Sequence, residues 1–557
     1  MTVAALLEAR ASDDRPGLRR AGGGRAWTWR EVVGECAVRA AWMNARGADG
    51  GGGRDRRLHV GVLLDNVPEL VFLLGGAALS GAVVVALNPT RSAAELAGDA
   101  ERADCDLILT QSRYAEQAAR LADAMPADAP VADAVLDIEG DAYQSALAPH
   151  AGAAPPGTAA ITPATLLMLI FTSGTSGNPR AVRVTHRKVT VPGENLAGKM
   201  LGPTDVVYCP MPLFHSGAIM AAFAPALAAG AELVLRERFS ASGLLPDVRA
   251  HGCTYLHYVG KALSYVLATP RADGDADNPL KFAFGNEAAP LEQRSFQERF
   301  GCFVIDAYGS SETAISLTPD PSGPPGALGR LADGVRILDP ETGAECPPAR
   351  FDEAGRLANG AEAIGELVAA GGHGLFDGYY NDPAPERLRD GMFWSGDHAY
   401  ADPGGFVFFA GRTAERLRVD GENFGAAQVE RVLAEFPGVR QLAVYGVPDA
   451  ASGDQVMLAL AADGFDPEAF GAYLRGRADL GPKWPPRYVR VAAELPATAS
   501  NKILKRRLAR DGWRTGDPVW WRPGRDLAYR RMTLEDVARL RTEFERRGRL
   551  HLLEGSG

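Results

Sequence analysis

The stretch Phe171-Thr172-Ser173-Gly174-Thr175-Ser176-Gly177-Asn178-Pro179-Arg180 follows the apolar run 166–170 directly. Its glycines let backbone amides converge on an anion because they carry no Cβ, and its hydroxyl groups donate further hydrogen bonds. Arg180 adds a cation that can neutralise bound phosphate. The Walker spacing Gly-x-x-x-x-Gly-Lys-Ser/Thr is absent, since Pro179 follows the glycines without a lysine. The stretch therefore predicts a phosphate loop of another type behind a buried strand, with a surface connection as the alternative.

Length and composition limit the class of protein. A chain of 557 residues is too long for one hydrophobic core, so we expect two or three units. Its 46% hydrophobic and 23% charged residues are typical of globular proteins. The net charge of −10 opposes binding to a phosphate backbone, so no nucleic acid partner is expected. The 6 cysteines are scattered without metal-ligand spacing, which favours reduced thiols and a cytoplasmic location.

One segment, residues 70–88, has the length and the lack of charge of a membrane span. Gly75, Gly76 and Gly81 interrupt it, and Asn88 precedes a proline that ends it. We interpret it as a buried helix followed by a strand over 82–87, so no transmembrane segment is expected. The N-terminus also lacks the pattern of a signal peptide. The Arg/Lys-rich stretches 502–510 and 522–531 are local basic patches, and contact of such a patch with a membrane surface stays open.

The first 155 residues alternate helix and strand patterns, which predicts a mostly parallel sheet. Helices are expected over 29–45 and 93–102, and strands over 59–64 and 107–110. Residues 148–163, rich in Ala, Pro and Gly, have the composition of a linker. A second α/β stretch continues to about residue 330.

The rest of the chain changes character. Short strands over 365–369 and 406–409 predict a small β unit between residues 326 and 412. Beyond it we expect helices over 426–436 and 466–477 and strands over 441–447 and 455–461. The tail starts with a capping-box pattern at Thr533, and Leu534, Val537, Leu540 and Phe544 recur at helical spacing, which predicts a packed terminal helix.

The loop at 171–182 resembles the phosphate loop of the adenylate-forming superfamily, which includes acyl-CoA synthetases, aryl-CoA ligases, luciferases and peptide-synthetase adenylation domains. The resemblance implies an α/β fold with a large N-terminal domain of layered α/β sheets plus a small β unit. A hinge joins this domain to a smaller α+β C-terminal domain. We place the boundary between 1–412 and 413–557. The C-terminal part would be mobile and would carry the catalytic lysine.

Three further motifs extend the resemblance in the same order along the chain. Ala307-Tyr308-Gly309-Ser310-Ser311-Glu312 resembles the family's Tyr-Gly-x-Thr-Glu, in which the tyrosine lies beside adenine, the hydroxyl contacts the α-phosphate and the glutamate holds Mg²⁺. Asp397, after Trp394-Ser395-Gly396, and Arg412 resemble the residues that bind ribose and phosphate. Lys502, in the segment 495–503, matches the lysine that serves adenylation.

The resemblance implies a set of site residues. Catalytic candidates are Lys502, Glu312 and His215, and the metal ligand is Glu312. Nucleotide-binding candidates are Thr172, Ser173, Gly174, Thr175, Ser176, Gly177, Arg180, Gly285, Asn286, Glu287, Asp306, Ala307, Tyr308, Gly309, Ser311, Asp397 and Arg412. Acyl- or CoA-binding candidates are His215, Tyr258, Val259, Gly260, Gly421 and Glu422.

A narrower resemblance concerns the stretch 254–260, with 284–286 and 421–423, which is similar to the branch of very-long-chain acyl-CoA synthetases and fatty-acid-transport proteins. His215 stands where peptide-synthetase domains typically keep an aspartate for an amino group, which disfavours an amino-acid substrate. The implied function is ligation of a long or bulky hydrophobic acid to CoA through an acyl-adenylate. ATP, Mg²⁺ and CoA are the expected cofactors.

Four positions depart from the family pattern. Arg180 replaces a lysine, Ala181 and Asn501 replace glycines, and Ala414 replaces a polar hinge residue. These departures motivate a second hypothesis, in which the enzyme performs only the step from acyl-adenylate to acyl-CoA. Two more functions stay open, namely the loading of a carrier protein and the binding of a nucleotide or acyl group without turnover. An oligomer is compatible with the sequence.

Overall fold

The computed structural model describes residues 1–49, 57–126, 134–172, 179–260, 262–288, 290–318, 320, 322–324, 326–353, 357–370, 374–412, 416–419, 422–450, 454–462, 464–477, 479–481, 483–498, 503–524 and 526–554. The chain forms two compact units. The first contains Met1–Ala288, Gln293–Ala314 and His373–Pro385, and the second contains Ala289–Glu292, Ile315–Gly372 and Glu386–Gly557. The proposed boundary after Arg412 stays a prediction.

Two sheets form the first unit. Its strands are β1 Pro16–Arg20, β2 Ala26–Thr28, β3 His59–Leu63, β4 Val83–Ala86, β5 Leu107–Thr110, β6 Val135–Asp137, β7 Leu166–Thr172, β8 Arg180–Thr185, β9 Val206–Cys209, β10 Glu232–Leu235, β11 Tyr255–Val259, β12 Phe282–Asn286 and β13 Phe303–Asp306. One sheet has the order β6-β5-β3-β4-β7-β8 and the other β13-β12-β11-β9-β10-β1-β2. Both are parallel apart from the terminal pairs β7–β8 and β1–β2.

Helices cover these sheets. They are α1 Val3–Glu8, α2 Trp29–Asp49, α3 Pro68–Ser80, α4 Ala93–Arg102, α5 Ala115–Ala124, α6 Asp141–Leu147, α7 His186–Met200, α8 Ser216–Ala218, α9 Ala224–Ala229, α10 Ala241–His251, α11 Ala262–Leu267 and α12 Pro290–Phe300. A π-helical turn, Ile219–Phe223, joins α8 to α9. Because strands between helix layers are buried on both faces, β3, β4 and β5 consist entirely of buried residues.

The membrane-like segment 70–88 lies inside this unit, as predicted. It forms most of α3 and all of β4. A Cβ at Gly75 would lie 2.2 Å from the Cys36 sulfur, and one at Gly76 would lie 2.7 Å from Cβ of Arg39. These glycines therefore let α3 pack closely on α2. No helix within the described ranges is long and apolar enough to cross a membrane.

The second unit begins with an antiparallel sheet. Its strands are β14 Leu317–Thr318, β15 Ala327–Leu331, β16 Val335–Leu338, β17 Gly365–Ala369, β18 Leu388–Arg389, β19 Met392–Ala401 and β20 Phe406–Arg412, with the short helix α13 Gly360–Ala363. The order is β14-β15-β20-β19-β17-β16, and β18 pairs with β19. This sheet matches the predicted small β unit. A two-stranded ribbon follows, β21 Arg416–Val419 and β22 Glu422–Gly425.

The C-terminal sheet of this unit has the order β23-β24-β25-β26-β27. Its elements are α14 Ala426–Leu433, β23 Gln441–Pro448, β24 Asp454–Ala461, α15 Pro467–Arg475, β25 Tyr488–Ala492, α16 Lys505–Asp511, β26 Val519–Trp521, β27 Arg530–Arg531, α17 Leu534–Arg546 and α18 His551–Glu554. Alternate strand residues face two cores. Leu442 and Val444 pack with α14 and α15, whereas Ala443 and Tyr445 pack with α16 and α17.

The predicted terminal helix is α17, and Thr533 caps it as expected. Leu540 and Phe544 are buried and Val537 is partly buried in the core against this sheet. Leu534 departs from the expected stripe, because its side chain is 89% exposed. It is the first helical residue and lies beyond the end of the buried face.

Candidate nucleotide and acyl site

The predicted phosphate loop connects two paired strands of the first unit. Thr172 ends β7, Arg180 begins β8, and the two residues are antiparallel partners. Residues 173–178, which include the candidates Ser173, Gly174, Thr175, Ser176 and Gly177, lie outside the described residues. The strand ends therefore fix both ends of the loop at the edge of a sheet.

Arg180 occupies a defined environment beside this loop. Its Nε lies 2.9 Å from Oδ2 of Asp382, and its side chain is only 16% exposed. The guanidinium also lies over the ring of Tyr379, 5.2 Å from the centroid. An arginine can serve both contacts because its planar group stacks on a ring and still directs an N–H to a carboxylate.

Most remaining candidates of the first unit follow three adjacent parallel strands. Tyr258 and Val259 end β11, Gly285 and Asn286 end β12, and Asp306 ends β13. The backbone of Gly260 donates to the Asn286 carbonyl over 2.9 Å, and that of Ala307 to the Gly285 carbonyl over 2.8 Å. Because carboxyl ends of parallel strands meet at one edge, the structure brings these candidates together where open α/β sheets bind ligands.

Tyr258 and Asp306 hold one another at this edge. The Tyr258 hydroxyl donates to Oδ2 of Asp306 over 2.9 Å, and the backbone of Ala288 donates to the same oxygen over 2.8 Å. Burial raises the pKa of Asp306 to about 7, although both hydrogen bonds oppose the shift. Gly285 has no room for a side chain here, since a Cβ would lie 2.1 Å from the Tyr258 carbonyl oxygen. These residues shape the strand ends, and their direct roles in binding stay predictions.

His215 lies immediately before α8, and its ring packs against Phe214 with centroids 4.6 Å apart. The next residue, Ser216, shares a hydrogen bond with Ser311, with the two hydroxyl oxygens 2.9 Å apart. Ser311 belongs to the motif that also contains Tyr308, Gly309 and Glu312. The acyl-side candidate and the nucleotide motif are therefore neighbours in the folded unit.

Glu312 is held at both its backbone and its carboxylate. Lys188, on α7, is fully buried and donates from Nζ to the Glu312 carbonyl over 2.8 Å. The Tyr379 hydroxyl donates to Oε1 of Glu312 over 2.9 Å. Burial lowers the pKa of Lys188 to about 8, and the charges of Glu312 and Asp377 counteract this effect. Glu287, which directly follows the end of β12, has a φ of 65°, an uncommon conformation for a residue with a side chain.

The second unit contains the candidates for ribose. Asp397, on β19, is buried and is the antiparallel partner of Arg412 on β20. The Ser395 hydroxyl donates to the Leu367 carbonyl over 2.7 Å and accepts from the Asp397 amide over 3.0 Å, which fixes this part of β19. The two candidates thus lie opposite each other in the sheet, and their roles in ribose binding stay predictions.

The segment that contains the catalytic lysine candidate is described only at its two ends, which belong to the second unit. Ala497 and Ile503 form an antiparallel bridge, and the Leu504 amide donates to the Pro496 carbonyl over 2.8 Å. Lys502 and Asn501 lie outside the described residues, as do Ala414 and Gly421. Glu422 lies in β22, where only its backbone is described.

The sequence motifs did not predict two residues that contact Glu312, namely Lys188 and Tyr379. Lys188 carries no motif signal, since a lysine in the first turn of a helix is usually exposed. Tyr379 lies 67 residues from Glu312. The adjacent Gly378 and Tyr380 give this stretch the composition of an ordinary turn. The contact between Tyr379 and Glu312 is therefore seen in the folded chain and has no signal in the sequence.

Two family models match this chain. Residues 7–380 match the family described as AMP-binding enzyme, and residues 428–502 match the AMP-binding enzyme C-terminal domain. The first match alone spans more than half of the chain.

Several curated proteins are similar over most of the chain. A steroid-22-oyl-CoA synthetase of Rhodococcus jostii (strain RHA1) is 46% identical over 99% of this chain and 99% of its own. A medium/long-chain-fatty-acid–CoA ligase FadD17 of Mycobacterium tuberculosis (strain ATCC 25618 / H37Rv) is 45% identical over 88% of this chain and 93% of its own. The human long-chain fatty acid transport protein 5 is more distant, with 29% identity over 66% of this chain and 56% of its own.

Among solved structures, ATP-bound MatB from Rhodopseudomonas palustris has the same fold. Its TM-score is 0.75 at 22% identity, covering 91% of this chain and 98% of that one. The predicted fold class, a large N-terminal α/β domain with a smaller C-terminal domain, is therefore confirmed. The chain belongs to the AMP-binding enzyme family, and the predicted class of acid–thiol ligase, with ATP and CoA as cosubstrates, is confirmed with it.

Proposed function

We propose that this protein is a complete two-step ligase for a bulky hydrophobic carboxylic acid, with a steroid bearing a carboxylated side chain as the first candidate. The 46% identity to the steroid-22-oyl-CoA synthetase over 99% of both chains is the main support for this substrate class. Similarity of that extent includes the acyl-side segments around His215 and Tyr258 as well as the nucleotide motifs.

The chemistry needs two displacements. In the first, a carboxylate oxygen of the acid attacks the α-phosphorus of ATP, the bond to the β-phosphate breaks, and pyrophosphate leaves. In the second, the CoA thiolate attacks the acyl carbon and AMP leaves. A free carboxylate is a poor electrophile, and the mixed anhydride makes the second step possible. Arg180 and Lys502 would supply positive charge as charge develops on the phosphate oxygens.

The residues present fit a Mg²⁺ ion that is bound together with the nucleotide. Within the described part of the chain, no group of three or more His, Cys, Asp or Glu side chains forms a cage for a metal ion. Mg²⁺ is usually held by one or two carboxylates together with substrate phosphates. Glu312 offers one such carboxylate: Oε1 accepts the Tyr379 hydrogen bond, and Oε2 could serve as the ligand. When bound, the ion would offset the negative charge of the phosphates.

A fatty acid of medium or long chain is the second candidate substrate. The 45% identity to the FadD17 ligase over 88% of this chain favours it. Both candidates share the hydrophobic acid that the sequence predicted. A carrier-protein acceptor, an oligomeric state, a cytoplasmic location and contact with a membrane surface stay predictions.

A substrate panel tests the proposal. Purified protein, Mg·ATP and CoA are incubated with steroid side-chain acids, medium-chain and long-chain fatty acids, an aromatic acid and an amino acid, and kcat/KM is measured from acyl-CoA formation. We expect steroid acids to be preferred by about tenfold or more over fatty acids, since one or two apolar contacts in a pocket change kcat/KM by that factor. Preference for fatty acids would favour the second candidate, whereas efficient use of the amino acid would contradict a hydrophobic substrate.

A further inference from the structure

A segment outside the predicted motifs, residues 374–382, joins the phosphate-loop cation to the metal-ligand candidate. Its backbone adds to the free edge of β8: the Arg183 amide donates to the Gly378 carbonyl over 3.1 Å, and the Tyr380 amide donates to the Ala181 carbonyl over 2.8 Å. Val182 and Tyr379 form an antiparallel bridge between these hydrogen bonds. The position of Tyr379 is therefore fixed by the strand that starts at Arg180.

Further contacts fix the rest of this segment within the first unit. Asp377 accepts a hydrogen bond from the Thr185 hydroxyl over 2.6 Å and forms an ion pair with Arg187. The Leu375 amide donates to the Thr313 carbonyl over 3.1 Å. The segment is thus attached to β8, to the start of α7 and to the loop that carries Glu312.

Tyr379 contacts two of the predicted site residues at once. Its ring lies under the Arg180 guanidinium, and its hydroxyl donates to Oε1 of Glu312 over 2.9 Å. The side chain is 7% exposed, so little water competes for these contacts. Phe376 packs edge-on against the ring at 5.0 Å and lies 5.7 Å from the Nζ of Lys188. Each ring of this aromatic pair therefore lies beside one cation, Tyr379 beside Arg180 and Phe376 beside Lys188.

We propose that Tyr379 is a positioning residue that aligns the Glu312 carboxylate with the Arg180 guanidinium for binding of the metal–nucleotide complex. This inference rests on the proposed function. A carboxylate with one oxygen held by a buried hydroxyl keeps a single orientation, which directs its second oxygen. The ring contact at the same time restrains Arg180, whose charge Asp382 partly balances. One side chain would thus set the relative placement of both charged groups.

The alternative is that Tyr379 only fills space. Tyr380 provides a matched control for this alternative, because it is the next residue and its hydroxyl also donates to a carboxylate, Asp104, over 2.8 Å. Its ring packs against His59, away from the nucleotide motifs. Removal of either hydroxyl removes a hydrogen bond to a carboxylate, and among the described contacts it is Tyr379 whose carboxylate partner is the predicted metal ligand.

The test measures Mn²⁺ binding by electron paramagnetic resonance, with Mn²⁺ in place of Mg²⁺ and a non-hydrolysable ATP analogue bound. We expect Tyr379→Phe to weaken Mn²⁺ binding by about tenfold, the factor that loss of a hydrogen bond to a charged group implies. Tyr380→Phe should bind Mn²⁺ like the unmodified protein. In a Glu312→Gln background, Tyr379→Phe should cause no further loss, because the two side chains act through one contact.

A second measurement compares the rates of the two half-reactions in the Tyr379→Phe variant. Tyr379→Phe should slow acyl-adenylate formation by about tenfold, whereas conversion of preformed acyl-adenylate to acyl-CoA should be unchanged. Equal Mn²⁺ affinities for Tyr379→Phe and the unmodified protein would overturn the inference. Equal losses in both tyrosine variants, or additive losses in the Glu312→Gln background, would also overturn it and indicate a packing effect.

The Mn²⁺ measurement also separates the inference from the function on which it rests. If the unmodified protein bound no metal–nucleotide complex, the proposed adenylation would fail. If it bound the complex and Tyr379→Phe bound it equally well, only the role of Tyr379 would fail. Thermal unfolding of each variant checks the fold, and the comparison within the Glu312→Gln background keeps the glutamine common to both proteins.

Discussion

Arg180 shows how a departure from the family pattern can be accommodated at the level of one side chain. Its ion pair with Asp382 and its contact with the Tyr379 ring hold the guanidinium at the start of β8, next to the phosphate loop. We expect Arg180→Ala to slow pyrophosphate release by about 10- to 100-fold, because a hydrogen bond to a charged group contributes about 1.5–3 kcal/mol. Arg180→Lys, which keeps the charge but loses the planar group that stacks on Tyr379, should slow pyrophosphate release by less than Arg180→Ala does.

Arg183 is the control for this prediction. It lies on the same strand, three positions further, and therefore on the opposite face. Arg183→Ala should leave pyrophosphate release unchanged. An Arg180→Lys enzyme that is far faster than the unmodified one would mean that the arginine is a handicap, and it would favour the hypothesis in which adenylation has been lost.

Individual side chains also mark the limit of sequence interpretation. The motifs predicted which strand ends and loops carry the site, and the fold brings Tyr258, Asn286 and Asp306 to one edge. The motifs did not predict that the Tyr258 hydroxyl is bound by Asp306, or that Lys188 supports the Glu312 loop. Such contacts join residues distant in the chain, and no local pattern encodes them.

Among the elements, α17 offers a direct test of a predicted cap. The Thr533 hydroxyl accepts from the Asp536 amide over 3.2 Å, and the Thr533 amide donates to Oδ2 of Asp536 over 3.0 Å. Hydrogen bonding by Arg530 holds the pKa of Asp536 well below its usual range. We expect Thr533→Ala to lower the free energy of local opening by about 1 kcal/mol. Hydrogen exchange of the first turn of α17, followed by mass spectrometry, should then be about fivefold faster.

Thr542 is the matched control on the same helix. Its hydroxyl donates to the Ala538 carbonyl over 3.0 Å within the helix, where it replaces no missing backbone bond. Thr542→Ala should change the opening free energy by less than about 0.5 kcal/mol. The same acceleration of exchange in both variants would contradict the capping account.

Helices and strands were easier to predict from the sequence than side-chain contacts, because their start signals are local. The helix predicted over 93–102 is α4 at those same bounds, because Ser92 and Glu95 form a capping box at its start. The strand predicted over 107–110 is β5, whose residues are all buried. The helix predicted over 29–45 extends to Asp49 as α2, since nothing at Ala45 breaks a helix. Start signals are local, whereas the end of a helix often depends on tertiary packing.

At the scale of the whole molecule, the predicted chemistry is distributed over both units. Glu312 and Arg180 belong to the first unit, whereas Asp397 and Lys502 belong to the second. The family resemblance implies that the C-terminal part moves between the two half-reactions. We propose that this chain performs both steps, in spite of its departures at Arg180, Ala414 and Asn501.

The most direct test follows both half-reactions in parallel. Purified protein is given Mg·ATP, CoA and a steroid side-chain acid, and pyrophosphate and acyl-CoA are quantified separately by mass spectrometry, with preformed acyl-adenylate plus CoA in a second reaction. A Lys502→Ala variant serves as the control, since it should lose pyrophosphate release and retain the second step. We expect pyrophosphate and acyl-CoA in equal amounts from the unmodified protein. Acyl-CoA from the adenylate alone, with no pyrophosphate from ATP, would contradict it.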